Sequence, residues 1–272
     1  MIVLYILIGV LALGALYLFM MTPALSKNAN MEAIGRLDIA HRGLYDNEAG
    51  IPENSLAAFS RAIEHGFAIE MDVQVTADDR LVVFHDAQTE RMTGVVGRIK
   101  NMTLEEIEKL RLLGTEEHIP TFEEFLALVD GRVPLCIEFK GDTGNGRHLA
   151  KCCCEVLDRY KGPFYMESFY PGCLIWVRHH RPDMGRGQLA TAHGLHFAPA
   201  DFFLRNLLFN FLTKPHFIAY DCRYSRKCWA PRLCRSFFRI VPVEWTVDGE
   251  ARYRENQELG ITNIFEGFIP KG

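Results

Sequence analysis

Two carboxylates stand two residues apart in the run 67–75 (FAIEMDVQV), as Glu70 and Asp72, and a third, Glu138, lies in 134–140 (PLCIEFK). On a strand, residues two apart project to one face, about 7 Å from each other along the chain. Anions that close repel unless a cation or a proton lies between them. Three oxygen donors suit Mg²⁺ or Ca²⁺ rather than zinc. The competing arrangement is an ion pair of one carboxylate with Arg42 or Lys140. His41 and His85 are candidates for general acid and base, because imidazole titrates near neutrality. Each sits in a charged context, His41-Arg42-Gly43 and His85-Asp86. Arg42 and Lys140 offer donors to an anionic oxygen, Arg42 in bidentate fashion. Two imidazoles, two cations and a metal suit a phosphodiester better than a carbonyl or a glycoside.

Eight short β-rich runs must position these groups: 37–41, 67–75, 134–139, 164–169, 186–190, 217–221, 240–245 and 262–267. Helical patterns separate them, the signature of βα units. One helix is expected to open after Asn54 and stop at Gly66, while Thr103 with Glu106 and Thr121 with Glu124 have capping-box spacing. A ninth run, 81–86 (LVVFHD), follows the second after only Ala77 to Arg80. A parallel crossover needs a dozen residues, so this run is an antiparallel hairpin arm. Eight strands in βα alternation predict an α/β fold of the (β/α)8 (TIM) barrel type, an open doubly wound sheet being the rival. Barrel chemistry sits at the C-terminal strand ends. That is where His41, Arg42, Glu70, Asp72, Glu138 and Lys140 fall, with the hairpin delivering His85 and Asp86 to the same mouth.

Composition bounds the reading. The chain has 272 residues, 49% hydrophobic and 24% charged, with formal net charge −4. Disordered, collagenous and coiled-coil chains are excluded, and a dedicated nucleic-acid binder is disfavoured. Of the 8 cysteines, Cys152, Cys153 and Cys154 are consecutive and no CxxC pair occurs. Reduced, mostly buried thiols are expected. The histidines at 148, 179, 180, 193 and 196 lack converging acids and are expected to be structural or solvent-exposed.

The ordered set His41-Arg42-Gly43, Pro52-Glu53-Asn54-Ser55, Glu70-x-Asp72, Thr76-x-Asp78, 82–86 (VVFHD), Glu138-Phe139-Lys140, Trp245-Thr246-Val247 and 264–268 (IFEGF) resembles the glycerophosphodiester phosphodiesterase family over roughly residues 37 to 270. The resemblance is to a membrane-anchored, bacterial-type member. It implies a TIM barrel that uses a divalent cation to hydrolyse glycerophosphodiesters to glycerol 3-phosphate and an alcohol. It further implies His41 and His85 as the catalytic pair, Glu70, Asp72 and Glu138 as metal ligands, Arg42 and Lys140 at the phosphate, and Glu53 in support. The chain departs from the family at its end, with Glu266-Gly267-Phe268-Ile269-Pro270 where many members carry T-D-x-P, so the role of Glu266 is open. One rival reading is a phosphodiester lyase of the phospholipase D-like or phosphoinositide type, giving a cyclic phosphate. Another is an inactive membrane-tethered binding module, against which every position with a proposed chemical role holds a competent residue.

Residues 1–21 form an apolar run long enough to cross a bilayer. An uncleaved anchor is expected ahead of a cleaved signal peptide, which would want a basic start and a small-x-small site. Residues 22–36 read as a polar link and 37–272 as one barrel domain. Lys27 and Arg36, after the span, place the domain on the cytoplasmic side by the positive-inside rule. Two later stretches stand out, the Phe-rich 202–212 and the arginine-rich 223–239. They read either as a bilayer-facing pair, which brings lysophospholipids within the substrate range, or as an outer barrel helix and a solvated loop. No nucleic acid and no protein partner is implied.

Overall fold

In a computed structural model of the chain, residues 1–25, 34, 37–141, 144–193 and 198–270 are described. Lys27 and Arg36, most of the 22–36 link, and His196 lie outside these residues. In chain order the elements are helix α1 (Ile2–Met20), strand β1 (Asp38–Ala40), α2 (Leu56–Glu64), β2 (Ala68–Val75) and β3 (Leu81–Val83). Next come α3 (Glu90–Thr93), α4 (Leu104–Ile107), α5 (Phe122–Val129), β4 (Leu135–Phe139), α6 (Gly146–Leu157) and β5 (Phe164–Ser168). Then follow α7 (Pro171–His180), β6 (Arg186–Ala190), α8 (Ala198–Arg205), α9 (Asn210–Thr213) and β7 (Phe217–Asp221). The chain closes with α10 (Trp229–Ser236), β8 (Val241–Val247), α11 (Glu250–Glu258) and β9 (Thr262–Phe265).

The sheet runs β1-β9-β8-β7-β6-β5-β4-β2 through parallel pairs, and β1 also pairs with β2. That last pairing closes eight parallel strands into the expected barrel. β3 pairs antiparallel with the end of β2 (Val73 opposite Val83), so the hairpin arm inferred from its short connection is present.

Local signals account for several element ends. Thr103 and Thr121 each accept from the backbone N–H three residues on, and Glu106 and Glu124 return the bond, so both capping boxes form. The first outer helix starts one residue later than its pattern suggests. Ser55, not Asn54, caps it by accepting from Ala58 N. Asn54 instead sits at φ 56° with its side chain in the barrel. The stretch 202–212 is not one helix: it breaks at Leu207 (φ 58°) into α8 and α9. The arginine-rich stretch is not all loop: its second half forms α10, whose Ala230 and Cys234 are buried. Both are outer barrel helices.

The start of the barrel interior is apolar, with Ile39, Ala68, Cys136, Tyr165, Leu189 and Phe217 in one cluster. A second, larger cluster packs α2, α5, α6 and α7 on the sheet. α1 is 19 residues, about 28 Å by helix rise. It is long and apolar enough to cross a membrane, and none of its residues is buried. Among the described residues its last turn meets the barrel: Phe19 lies 5.5 Å from Phe211, and Asn210 Nδ2 donates to Met21 O at 3.1 Å. All eight cysteines are free and five of them are buried.

Candidate active site

The site starts from strand register. Asp72 pairs with Glu138 and Glu138 with Glu167 across β2, β4 and β5, so three carboxylates share one level at the C-terminal end of the barrel. Glu70 lies one inward position below. Ligand oxygens of Glu70, Asp72 and Glu138 fall within 4.8 Å of one another, all three residues being buried. A buried, all-oxygen set of this kind fits a hard divalent cation.

The turn after β1 is built for close approach. Arg42 adopts φ 55° and Gly43 φ 80°, and a Cβ on Gly43 would stand 2.9 Å from the Ala58 backbone. Only glycine takes that place without displacing α2. The turn aims Arg42 N at Glu70 Oε2 (3.0 Å) and its guanidinium at Glu53 Oε1 (2.6 Å) and Asp72 Oδ2 (3.6 Å). Asn54 Nδ2 donates to Asp72 Oδ2 at 2.8 Å. Lys140, just past β4, places Nζ 3.3 Å from Asp72 Oδ1 and 3.2 Å from Glu138 Oε1. The ion pairs that competed with metal binding in the sequence are therefore formed, in the same cluster as the acidic set.

These contacts divide the acids. Burial raises all of them, but Lys140, His85, Arg42 and Asn54 together hold Asp72 well below the usual carboxylate range. Glu70 is pushed well above that range by burial and by Asp72. Burial takes Glu138 up to about 7 despite Lys140, and burial with Glu138 takes Glu167 up to about 8. The mouth therefore carries more negative charge than its own cations balance, and protons take up the excess.

Each histidine is held through one ring nitrogen. His41 Nδ1 lies 2.6 Å from Glu266 Oε2, which also accepts from Tyr45 Oη at 2.8 Å. His41 Nε2 is left 3.9 Å from Glu70 Oε2. His85 Nδ1 lies 2.7 Å from Asp86 Oδ1, and Arg91 Nε is bonded to Asp86 Oδ2 at 2.5 Å. A carboxylate at Nδ1 selects the tautomer with Nδ1–H, which frees the Nε2 lone pair. Burial lowers both imidazoles below their ordinary value. Glu266 is in turn held down to about 2, burial notwithstanding, by its bond from His41.

All seven residues singled out in the sequence thus meet at one mouth. The structure gives four further residues a place: Asp86 and Glu53, which the sequence had put at the mouth and in support, Glu266, whose role was open, and Glu167, which the sequence reading did not single out. Glu266 orients His41. Asp86 orients His85. Glu53 joins Arg42 to Arg91 (Nη2 to Oε1, 2.7 Å). Glu167 lies buried in register with Glu138. Asp86 carried a signal, adjacency to His85, and Glu167 carried another, its inward parity on the fourth strand. His148 lies away from the mouth, 2.7 Å from Asp79 Oδ1 on the surface; this is an acid partner that its sequence neighbourhood did not show. His180 bonds the Trp176 carbonyl and His193 meets Tyr224 Oη at 3.3 Å.

The sequence pattern of the glycerophosphoryl diester phosphodiesterase family matches residues 41–266. A glycerophosphodiester phosphodiesterase of Bacillus subtilis is 38% identical over 212 residues, 67% of this chain and 69% of that protein. One of Caldanaerobacter subterraneus is 45% identical over 102 residues, 34% of this chain and only 40% of the relative's length. Among solved structures, a phosphodiesterase of Oleispira antarctica in complex with the product sn-glycerol-3-phosphate superposes with a TM-score of 0.68 at 22% identity. That likeness covers 85% of this chain and 92% of the other, and it supports the barrel fold.

Proposed function

The chain belongs to the glycerophosphoryl diester phosphodiesterase family, and on that premise we propose that it hydrolyses glycerophosphodiesters to glycerol 3-phosphate and an alcohol. The observation that carries this reading is the pairing of two carboxylate-held imidazoles, His41 and His85, with the Glu70, Asp72 and Glu138 cluster. Those three carboxylates would hold Mg²⁺ or Ca²⁺, which would supply charge neutralisation at the phosphoryl oxygens. Arg42 and Lys140 bind the phosphate with N–H donors. One neutral imidazole takes the proton of the attacking water at Nε2. The other, protonated, gives its Nε2 proton to the departing alcohol oxygen as the phosphorus–oxygen bond breaks. Glu266 and Asp86 keep each ring turned so that Nε2 faces the reacting phosphate.

α1 serves as an uncleaved anchor, with the barrel at the cytoplasmic surface. The anchor supports lysophospholipids as substrates beside deacylated head-group diesters. The test assays the purified full chain on glycerophosphocholine, glycerophosphoglycerol and a lysophospholipid, with Mg²⁺, Ca²⁺ or EDTA. Release of glycerol 3-phosphate from the first two, abolished by EDTA, is expected. A cyclic phosphate as final product in phosphorus NMR would transfer the chain to the lyase reading. Turnover indifferent to EDTA would remove the ion from the scheme.

A further inference from the structure

The last turn of α1 is seated between α9 and α10. Asn210 reaches both sides of that seat, Nδ2 standing 3.1 Å from Met21 O and 3.9 Å from Cys234 Sγ. The helices on either side, α8 and α10, turn Phe203, Ala230 and Cys234 inward onto the cluster that contains Met21. Their outer faces repeat one pattern. On α8, Phe202 is 51% exposed and Arg205, three residues on, is exposed as well. On α10, Trp229 is 63% exposed and Arg232, three residues on, is exposed as well. Residues three apart share a helix face, so each face shows an aromatic ring with a guanidinium beside it. That pairing of amphipathic ring and long cationic stem is what a membrane–water interface selects.

Cations also gather where α1 joins the barrel. Lys214 Nζ donates to Thr22 O at 3.1 Å, and Arg178 donates to Leu212 O at 2.6 Å. Beside α10, Arg226, Arg232 and Arg235 line a cavity of about 420 Å³ whose apolar wall includes Ile218, Ile240 and Leu259. Arg226 is already paired there with Glu255 and donates to Asn256 Oδ1, only its buried Nε lacking a partner, and Glu244 also lines the cavity. The cations left to a ligand are therefore Arg232 and Arg235, neither of which pairs with a carboxylate among the described residues. An apolar wall under a cationic rim fits an anionic amphiphile, not a free sugar or a peptide.

We propose that the α8–α10 flank rests on the bilayer surface beside the anchor, and that the cavity along α10 takes the phosphate of an anionic phospholipid. This rests on α1 being a membrane anchor.

The full chain, reconstituted in vesicles of phosphatidylcholine with or without phosphatidylglycerol, tests it. Some vesicles carry bromine on the acyl chains, and the Trp229→Phe variant isolates the emission of Trp229. Trp229 emission is expected to be quenched by brominated lipid, severalfold more with phosphatidylglycerol present. Arg232→Glu, alone or with Arg235→Glu, is expected to remove that gain severalfold while glycerophosphocholine hydrolysis stays unchanged. Trp229 equally open to aqueous acrylamide in vesicles and in detergent, or a gain unmoved by Arg232→Glu, overturns the docking surface alone. A chain that fails to float with the vesicles overturns the anchor reading and this inference together, leaving the hydrolase reading untouched.

Discussion

The same strands build two unlike ends of one barrel. At their starts the inward positions are apolar or weakly polar: Ala68 on β2, Cys136 on β4 and Tyr165 on β5. Two or four residues later the inward positions are Glu70 and Asp72, Glu138 and Glu167, all buried. Among the described residues the inward positions of the closed end carry no charge, the buried Arg186 at the start of β6 lying outside that cluster. The open end crowds carboxylates beyond what Arg42, Lys140 and Arg91 balance. Burying unpaired charge costs folding free energy, so the open end is a liability that the packed end offsets. On the proposed function, what it gains is a place where a cation and a phosphate would be stabilised by groups already in position.

If that division is right, changes at the two ends separate rate from stability. Replacing His41 or His85 by Ala is expected to lower kcat/KM by about 10²–10⁴-fold while the melting temperature moves little, as steady-state assays and calorimetry on the same samples would show. At the closed end, Phe217→Ala is expected to cost about 3–5 kcal/mol in denaturant unfolding, with kcat of the folded fraction unchanged. A smaller probe of that end is Gly187→Ala, since a Cβ there would stand 2.2 Å from the Phe217 ring. Its expected cost is about 1–3 kcal/mol, and a neutral result would mean the closed end is less tightly packed than described. Glu266→Gln is expected to reduce kcat roughly tenfold and move the acid limb of the pH–rate profile to lower pH. The sign follows from Glu266 raising the His41 pKa, so that its loss lets burial lower it further.

The smallest effect sharpens the electrostatics. Glu138 and Glu167 titrate at about 7 and about 8 in the folded chain, above the ordinary 4.5. A raised folded pKa means stability present below 4.5 that is lost as pH rises through about 7 to 8. His41 and His85 are lowered below 6.5, so their contribution is lost on the acid side of that value instead. Melting temperature in EDTA is therefore expected to fall from pH 7 to 8, and Mg²⁺ or Ca²⁺ to reverse most of the fall. A metal-free chain with a flat profile over that range would contradict the charge crowding.

Much of this was legible in the residues. The alternation of runs announces eight strands, and the five-residue gap before 81–86 excludes a parallel crossover there. His41, Arg42, Glu70, Asp72, His85, Glu138 and Lys140 all fall at strand ends, where the barrel gathers them. Glu266 was harder. Its bond to His41 spans 225 residues of chain and joins the last strand to the first, a contact that exists only once the sheet closes. Arg91 likewise reaches Glu53 across 38 residues. The break at Leu207 was hidden because an apolar run is equally compatible with one helix or two packed pieces.

Periodicity, capping residues and the chemistry of single side chains are properties of neighbours along the chain. They alone determined the element types, the barrel expectation and the acidic, imidazole and cationic groups at its rim. Register, closure and the seat of the last turn of α1 are properties of partners far apart in sequence. Those are selected by inter-strand hydrogen bonds and side-chain packing, to which local pattern is blind. Tertiary structure therefore decided that Glu167 joins the acidic level, that Glu266 aims the His41 imidazole, and that α8 and α10 pack beside the last turn of α1.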